Sequence, residues 1–267
     1  MPENMILSLS TIVALAPSSL LAMRRRHRPD AVFWLVLMVA VAGPVILVLT
    51  TMAGSWHTDL STTIWVTIAA TMAIFAVIAI LAHETWRLTP LVSGYMAVLG
   101  ILAAVWSQVP HQPLSEGAAS GGWIGIHIAV SVGTYALVTI AAVAALAAFL
   151  QERALKKKKP TALTRLLPSV ADCEGLEARL LVLGEIVLAM GLATGMALQY
   201  GETGTLLVFD HKTVLTITAF AVIGGLLAAH YKVGLRGRQA TRIVLLAYLL
   251  LTLGYPGVKF ITDVILA

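Results

Sequence analysis

The sequence predicts an all-α polytopic membrane protein, folded as a single bundle of about eight transmembrane helices. Three observations predict this class. Apolar residues make up 59% of the 267-residue chain and charged residues only 12%, whereas an ordinary soluble domain carries about 25% charged residues. The apolar residues gather into runs long enough to cross a bilayer. The basic residues collect in alternate loops between these runs, which is the pattern that membrane topology requires.

Eight apolar runs follow one another along the chain, and each is long enough to span the hydrocarbon core as a helix. They cover roughly residues 4–23, 31–53, 61–82, 91–107, 123–150, 177–199, 212–231 and 240–265. Because the runs use almost the whole chain, we expect residues 1–267 to form one bundle without a separate soluble domain. The basic cluster 24–28 follows the first run instead of preceding it, which favours a spanning helix over a cleaved signal peptide.

The basic residues predict the orientation of the bundle. Of the 18 lysines and arginines, 16 fall in the loops after the first, third, fifth and seventh runs or at the start of the sixth. Only Lys212 and Lys259 fall on the opposite side. The positive-inside rule then places the basic loops in the cytoplasm and both termini on the outer (periplasmic) side. We therefore attribute the net charge of +5 to membrane topology and contact with anionic lipid, and expect no nucleic-acid partner.

The sequence does not contain the common catalytic motifs at positions where they could act together. The single cysteine, Cys173, excludes an internal disulfide, a Cys-x-x-Cys redox pair and a thiolate metal cluster. The sequence also shows no Ser-His-Asp arrangement, no His-Glu-x-x-His motif and no phosphate-binding glycine loop. We expect no catalytic residues, and a protein that is not an enzyme.

Four of the seven histidines lie at the ends of predicted spans, at two depths. His127 is one turn into the fifth run and His211 begins the seventh, so both are expected near the outer face. His83 ends the third run and His230 ends the seventh, so both are expected near the inner face. A helix of 20 residues is about 30 Å long, so an outer and an inner histidine cannot bind one iron. The sequence predicts an outer pair and an inner pair.

These pairs are candidate haem ligands, because neutral imidazole is a good axial ligand and two facing imidazoles hold the iron from both sides. Haem between helices also needs cations for its propionates, and Arg87, Lys212 and Lys232 lie near the two depths. Two other interpretations remain open from spacing alone. Interfacial histidines also anchor helices to lipid headgroups or backbone carbonyls. Zinc is a weaker alternative, because the outer set lacks a close His-x-x-x-His pair.

Glu185 is an ionisable residue inside the sixth run, and such residues are functional candidates by default. One interpretation is that Glu185 orients His230 or His83 through a hydrogen bond to the imidazole. The other is that Glu185 pairs with Arg87 or Arg179 as a structural anchor. The sequence does not decide between them.

A set of short stretches in the second half resembles a known family. In chain order they are Trp123-Ile124-Gly125-Ile126-His127-Ile128 with Ser131 and Tyr135, then Asp210-His211-Lys212, His230, Gly234 to Ala240, and Tyr255 to Phe260. This ordered set resembles the cytochrome c assembly family of haem-handling membrane proteins (CcsA and CcmC type), and most closely its small YpjD/HemX-like branch. The resemblance covers roughly residues 120–262, and the N-terminal helices of residues 1–119 add a general likeness.

The resemblance implies that His127 is the outer haem-associated histidine and that His230 is the inner, intramembrane one. The tryptophan-rich outer motif of the family is replaced here by residues 206–209, next to Asp210 and Lys212. His211 is then the candidate substitute ligand. The implied cofactor is haem b, and the implied partners are haem and other cytochrome c assembly proteins or another membrane complex. The implied location is the bacterial inner membrane.

Three functions compete at this point. The first is a haem-binding or haem-handling protein that assists cytochrome c biogenesis or a related haem pathway. The second is an accessory or regulatory membrane protein with the same fold and no haem. The third is a small-molecule transporter, which is disfavoured because the sequence shows no inverted repeat and no paired broken helices.

Overall fold

The computed structural model of the protein describes residues 2–22, 29–52, 59–82, 84–106, 122–206 and 208–261. Within these ranges the chain is helical and no β-strand occurs. The long helices are α1 (Pro2–Ala22), α2 (Ala31–Met52), α3 (Leu60–Leu81), α4 (Thr89–Val105), α5 (Gly122–Lys157), α6 (Val170–Thr203), α7 (His211–Val233) and α8 (Arg238–Thr252). The predicted all-α class is therefore confirmed.

Seven helical segments of the described chain are long and apolar enough to cross a membrane. The apolar part of α1 is shorter and covers Ile6–Leu20. A chain with so many apolar helices is a multi-pass membrane protein. The outer location of both termini stays a prediction.

α5 and α6 are both longer than the apolar runs that predict them. α5 continues beyond residue 150 to Lys157, and α6 begins at Val170 instead of residue 177. The reason is that residues such as Lys156 are good helix formers, so a helix does not end where its apolar run ends. The predicted limits at residues 150 and 177 are therefore wrong, and the segment between the two helices is shorter than the runs indicate.

Glycines allow α5 and α6 to pack closely as antiparallel neighbours. A Cβ atom added at Gly184 would lie 3.2 Å from Cγ2 of Val138, and one at Gly191 would lie 3.5 Å from Cγ1 of Val130. Small residues at such an interface let two membrane helices approach, so that the van der Waals contact between their backbones is large. This packing fixes which faces of α5 and α6 look toward α7 and α8.

The apolar core lies between α1–α4 and the middle of α5. Most of its fully buried side chains come from α1 to α5, such as Leu15, Leu37, Ile68, Met96 and Ile140, and Leu181 of α6 and Ile223 of α7 join them. α7 and α8 bury a much smaller share of their surface within the described chain.

A π-turn at Leu253–Gly257 interrupts the last helix. Pro256 has no backbone N–H, so it cannot donate to the carbonyl of Thr252 one turn earlier. A Cβ atom at Gly257 would lie 3.1 Å from that carbonyl oxygen, so glycine suits this position. Helical geometry resumes at Val258–Phe260. Such turns widen the helix, redirect the side chains that follow and occur frequently at functional sites.

Candidate functional site

A cavity of about 450 Å³ lies between α5, α6, α7 and the π-turn that follows α8. Its volume is within the range of about 300–1,000 Å³ that small-molecule sites occupy. Leu188, Leu192 and Leu251 contribute an apolar wall. The charged lining residues and His127 lie toward one end of the bundle, where α5 and α7 begin and α6 ends. This end is called the cavity end below, and it corresponds to the predicted outer side.

His127 reaches the cavity from the second turn of α5. Its Nδ1 atom lies 3.0 Å from Oγ1 of Thr194 on α6. The Thr194 hydroxyl donates its one proton to its own helix, where the carbonyl oxygens of Met190 and Gly191 lie 2.9 Å and 3.0 Å away. It therefore accepts from Nδ1–H of the imidazole. This tautomer leaves the lone pair of Nε2 available to a metal.

Gly195 makes room for the imidazole of His127. A Cβ atom added at Gly195 would lie 3.1 Å from Cε1 of the ring, which is closer than side-chain atoms normally approach. The ring thus lies against the bare backbone of α6, held by the Thr194 hydroxyl one residue earlier. Its position and tautomer are set by α6 before any ligand arrives.

Asp210 and Lys212 line the cavity at the start of α7, as predicted for the outer site. Asp210 is the N-cap of the helix, and its Oδ1 accepts a hydrogen bond from the Thr213 backbone N–H at 2.7 Å. Partial burial acts to raise the pKa of Asp210, but the hydrogen bonds from Thr213 and the charge of Lys212 outweigh it. The pKa of Asp210 therefore lies below its ordinary value.

His211 is exposed at the first position of α7 and is not among the residues that line the cavity. The structure thus brings Asp210 and Lys212 to the cavity of His127, but not the histidine between them. The physical reason is that successive residues at a helix start point in different directions. Trp123 is 60% exposed, one turn before His127. This exposure is typical of an interfacial tryptophan.

Tyr135 lines the cavity near the middle of the bundle, where its hydroxyl belongs to a hydrogen-bonded cluster of tyrosines. The Tyr135 hydroxyl lies 2.9 Å from the Tyr248 hydroxyl and 3.1 Å from Oγ1 of Thr252. The Tyr248 hydroxyl is also hydrogen-bonded to that of Tyr95 on α4. We call Tyr95, Tyr135 and Tyr248 the phenol cluster. Only Tyr135 was singled out from the sequence. The signal for the other two is their place within the spans, away from the helix ends where tyrosine usually lies.

Tyr255 and Lys259 also line the cavity. Tyr255 lies within the π-turn, and Lys259 lies two residues after it. The rings of Tyr255 and Tyr135 lie 6.1 Å apart, centroid to centroid. Lys259 is half-buried, beyond the turn. The charge pattern predicts Lys259 on the outer side but does not identify it as a site residue. The reason is that the direction of a side chain after a π-turn cannot be predicted from helical spacing.

His230 lies at the opposite end of α7. Its Nδ1 atom is 3.1 Å from the carbonyl oxygen of Leu235, and a carbonyl can only accept, so Nδ1 carries the proton and Nε2 keeps its lone pair. Gly234, with φ of 73°, reverses the chain after α7 and so brings Leu235 back to the ring. His83, the predicted partner, lies outside the described residues.

Glu185 contacts α7 instead of a histidine. Its Oε1 would lie 3.0 Å from a Cβ atom at Gly224, and its buried Oε2 has no hydrogen-bond partner among the described residues. Nδ1 of His230 is directed to its own loop instead. Arg87 forms an ion pair with Glu84, with 2.7 Å between Nε and Oε2. Among the described residues, Glu185 therefore has no hydrogen bond or ion pair with His230, Arg87 or Arg179, and the alternative contact with His83 lies outside the described residues.

Comparison with known proteins finds a matching family and several similar proteins. The sequence model of the cytochrome C assembly protein family matches residues 35–266. An Azospirillum brasilense protein, described as an uncharacterized 28.8 kDa protein in the nifR3-like 5' region, is 53% identical over 271 residues, which cover 100% of both chains. Inner membrane protein YpjD of Escherichia coli strain K12 is 28% identical over 185 residues, 68% of this chain and 67% of YpjD. Protein HemX of Brevibacillus brevis is 23% identical over 163 residues, 60% of each chain. No solved structure matches the chain.

Proposed function

The chain belongs to the cytochrome c assembly protein family, and from that premise we propose that it is a haem-binding membrane protein that assists cytochrome c biogenesis or a related haem pathway. The similarity to YpjD, an inner membrane protein of Escherichia coli, supports a location in the bacterial inner membrane. The partners in this proposal are haem b and either other cytochrome c assembly proteins or another membrane complex.

The prepared imidazole of His127 is the observation that carries the proposal. Oγ1 of Thr194 accepts a hydrogen bond from Nδ1–H of the ring, and Gly195 leaves space for the ring against the backbone of α6. A histidine that ligates a metal normally has its other nitrogen held in this way, because the hydrogen bond fixes both tautomer and orientation. The donor set of the cavity therefore fits an iron porphyrin.

The remaining lining residues fit the other parts of such a ligand. Leu188, Leu192 and Leu251 offer apolar contact to a macrocycle, and Lys212 offers a cation at the cavity end. Haem supplies an iron centre that accepts the lone pair of Nε2. The role of the protein is to bind the haem, to orient it and to keep its surroundings apolar.

His230 is the proposed inner site. The carbonyl of Leu235 holds its Nδ1–H and leaves Nε2 open, so the ring carries the same tautomer as His127. Because the two histidines lie at opposite ends of the bundle, they would serve two separate haem positions.

The experiment is haem loading of the purified protein in detergent, followed by the Soret band. We expect the wild type to bind haem, His127→Ala to lose the outer component, and the His127→Ala/His230→Ala double variant to lose the band. Thr194→Val should weaken the outer component about tenfold, since loss of the group that orients a metal-bound histidine costs about 10–100-fold in affinity. Free imidazole should restore the band of His127→Ala.

His211→Ala is the matched control, because it removes an exposed histidine at the same end of the bundle. Its band should equal that of the wild type. A wild-type protein that cannot be loaded with haem would overturn the proposal and leave an accessory membrane protein with the family fold. Uptake of another solute into proteoliposomes would favour a transporter.

A further inference from the structure

Two lysines break the charge asymmetry of the chain, and both line the cavity. All other lysines and arginines fall on the predicted cytoplasmic side in the sequence. Lys212 and Lys259 lie at the cavity end and are lining residues. Basic residues on the outer side are unusual in membrane proteins, because positive charge is retained on the cytoplasmic side during insertion. That both exceptions meet at one cavity points to a binding role.

The two lysines are held on the same rim by helix packing. Lys212 is the second residue of α7, and Lys259 follows the π-turn after α8. Gly254 brings these segments together, since a Cβ atom there would lie 3.3 Å from Cβ of Leu215 and 3.9 Å from the Lys212 carbonyl oxygen. The rim is thus built by tertiary contact between α7 and the π-turn.

The described lining residues at the rim include two lysines and one acidic side chain, Asp210, which caps α7 by accepting a hydrogen bond from the Thr213 backbone N–H. Opposite the rim, Leu188 and Leu251 are buried and apolar.

Resting on the proposed function, we propose that Lys212 and Lys259 recognise the carboxylates of the ligand. The site then selects an amphipathic porphyrin whose apolar edge is buried toward Leu188 and Leu251 and whose two propionates lie at the cavity end. The ammonium groups donate charge-assisted hydrogen bonds to carboxylate oxygens, which are about twice as strong as neutral ones. The lysines would thus set the orientation of the ring, while His127 binds the metal.

The test compares haem with haem dimethyl ester, in which both propionates are masked and the iron porphyrin is unchanged. Each ligand is titrated into the detergent-purified full chain. We expect the wild type to bind haem about tenfold or more tightly than the ester, since hydrogen bonds to charged groups contribute enough for such a factor. Lys212→Gln/Lys259→Gln should lose that preference and bind both ligands alike. Lys212→Arg/Lys259→Arg should keep it.

Lys157→Gln is the matched control, because it removes an exposed lysine from the last position of α5, the helix that begins at the cavity end. Its preference for haem should equal that of the wild type. Equal affinity of the wild type for haem and the ester would overturn the carboxylate proposal while leaving haem binding intact. An equal loss of both ligands in the double Gln variant would also overturn it, since the lysines would then act only on folding. A wild type that binds neither ligand would overturn the proposed function itself.

Discussion

The site depends on the absence of a side chain at one residue of α6, Gly195. Gly195 has no Cβ atom, and one placed there would lie 3.1 Å from Cε1 of His127. The imidazole and the α6 backbone therefore occupy a space that no other residue type leaves open. This requirement explains why a glycine lies opposite His127 in the middle of an apolar helix.

Gly195→Ala should displace the imidazole and weaken haem binding about tenfold, which corresponds to about 1.4 kcal/mol. The measurement is a haem titration of the variant in detergent. Gly201→Ala is the control on the same helix, because a Cβ atom there meets nothing within 4 Å. Both variants gain the higher helix propensity of alanine. Equal haem affinity in Gly195→Ala and the wild type would show that the ring of His127 does not depend on this space.

The sequence indicated how deep each histidine lies along its helix, but not the direction in which its side chain points. His127 was recognised because it lies one turn inside an apolar run, and it does line the cavity. His211 was recognised by the same argument and proves to be exposed. Thr194 and Gly195 were not recognised as site residues, and the spacing of Gly191 and Gly195 indicated only close helix packing, because the role of both residues depends on the face that α6 turns to α5. That face is decided by packing between helices and not by hydropathy.

At the scale of the elements, the phenol cluster joins α4, α5 and α8. The Tyr248 hydroxyl is the shared member, bonded to those of Tyr95 and Tyr135. Hydroxyl groups inside a membrane protein are costly to leave without a partner. The cluster therefore locks the three helices in one relative position and fixes the inner wall of the cavity.

Tyr248→Phe should lower stability by about 1 kcal/mol, because interhelical hydrogen bonds in membranes contribute roughly 0.6 kcal/mol each on average. The measurement is the midpoint of thermal unfolding in detergent. Tyr200→Phe is the control, since Tyr200 is 58% exposed on α6. An unchanged midpoint in Tyr248→Phe would show that the cluster does not hold the helices together.

Helix limits were the least predictable part of the fold. Apolar runs located all eight long helices, since roughly 20 residues are needed to cross the hydrocarbon core. They missed the extension of α5 to Lys157, which continues into water on basic residues. They also missed the π-turn at Pro256, which turns Tyr255 and Lys259 to the cavity. Those two residues were therefore not recognised as parts of the site.

At the scale of the whole molecule, the charge distribution predicts that both termini face the periplasm. An alkaline phosphatase reporter, which is active only outside the cytoplasm, should be active when fused at the C-terminus and inactive when inserted after Pro160. A fluorescent reporter that matures only in the cytoplasm should show the reverse pattern. Activity of the phosphatase at Pro160 would invert the topology and would place the cavity end on the cytoplasmic side.

The cavity belongs to one half of the chain. All lining residues in the described part of the chain lie between His127 and Lys259, whereas the N-terminal helices reach its wall through the Tyr95 hydroxyl. The N-terminal helices also pack against α5, the helix that carries His127, so a change in their core would reach the cavity through the position of α5 and not through the loss of a lining residue.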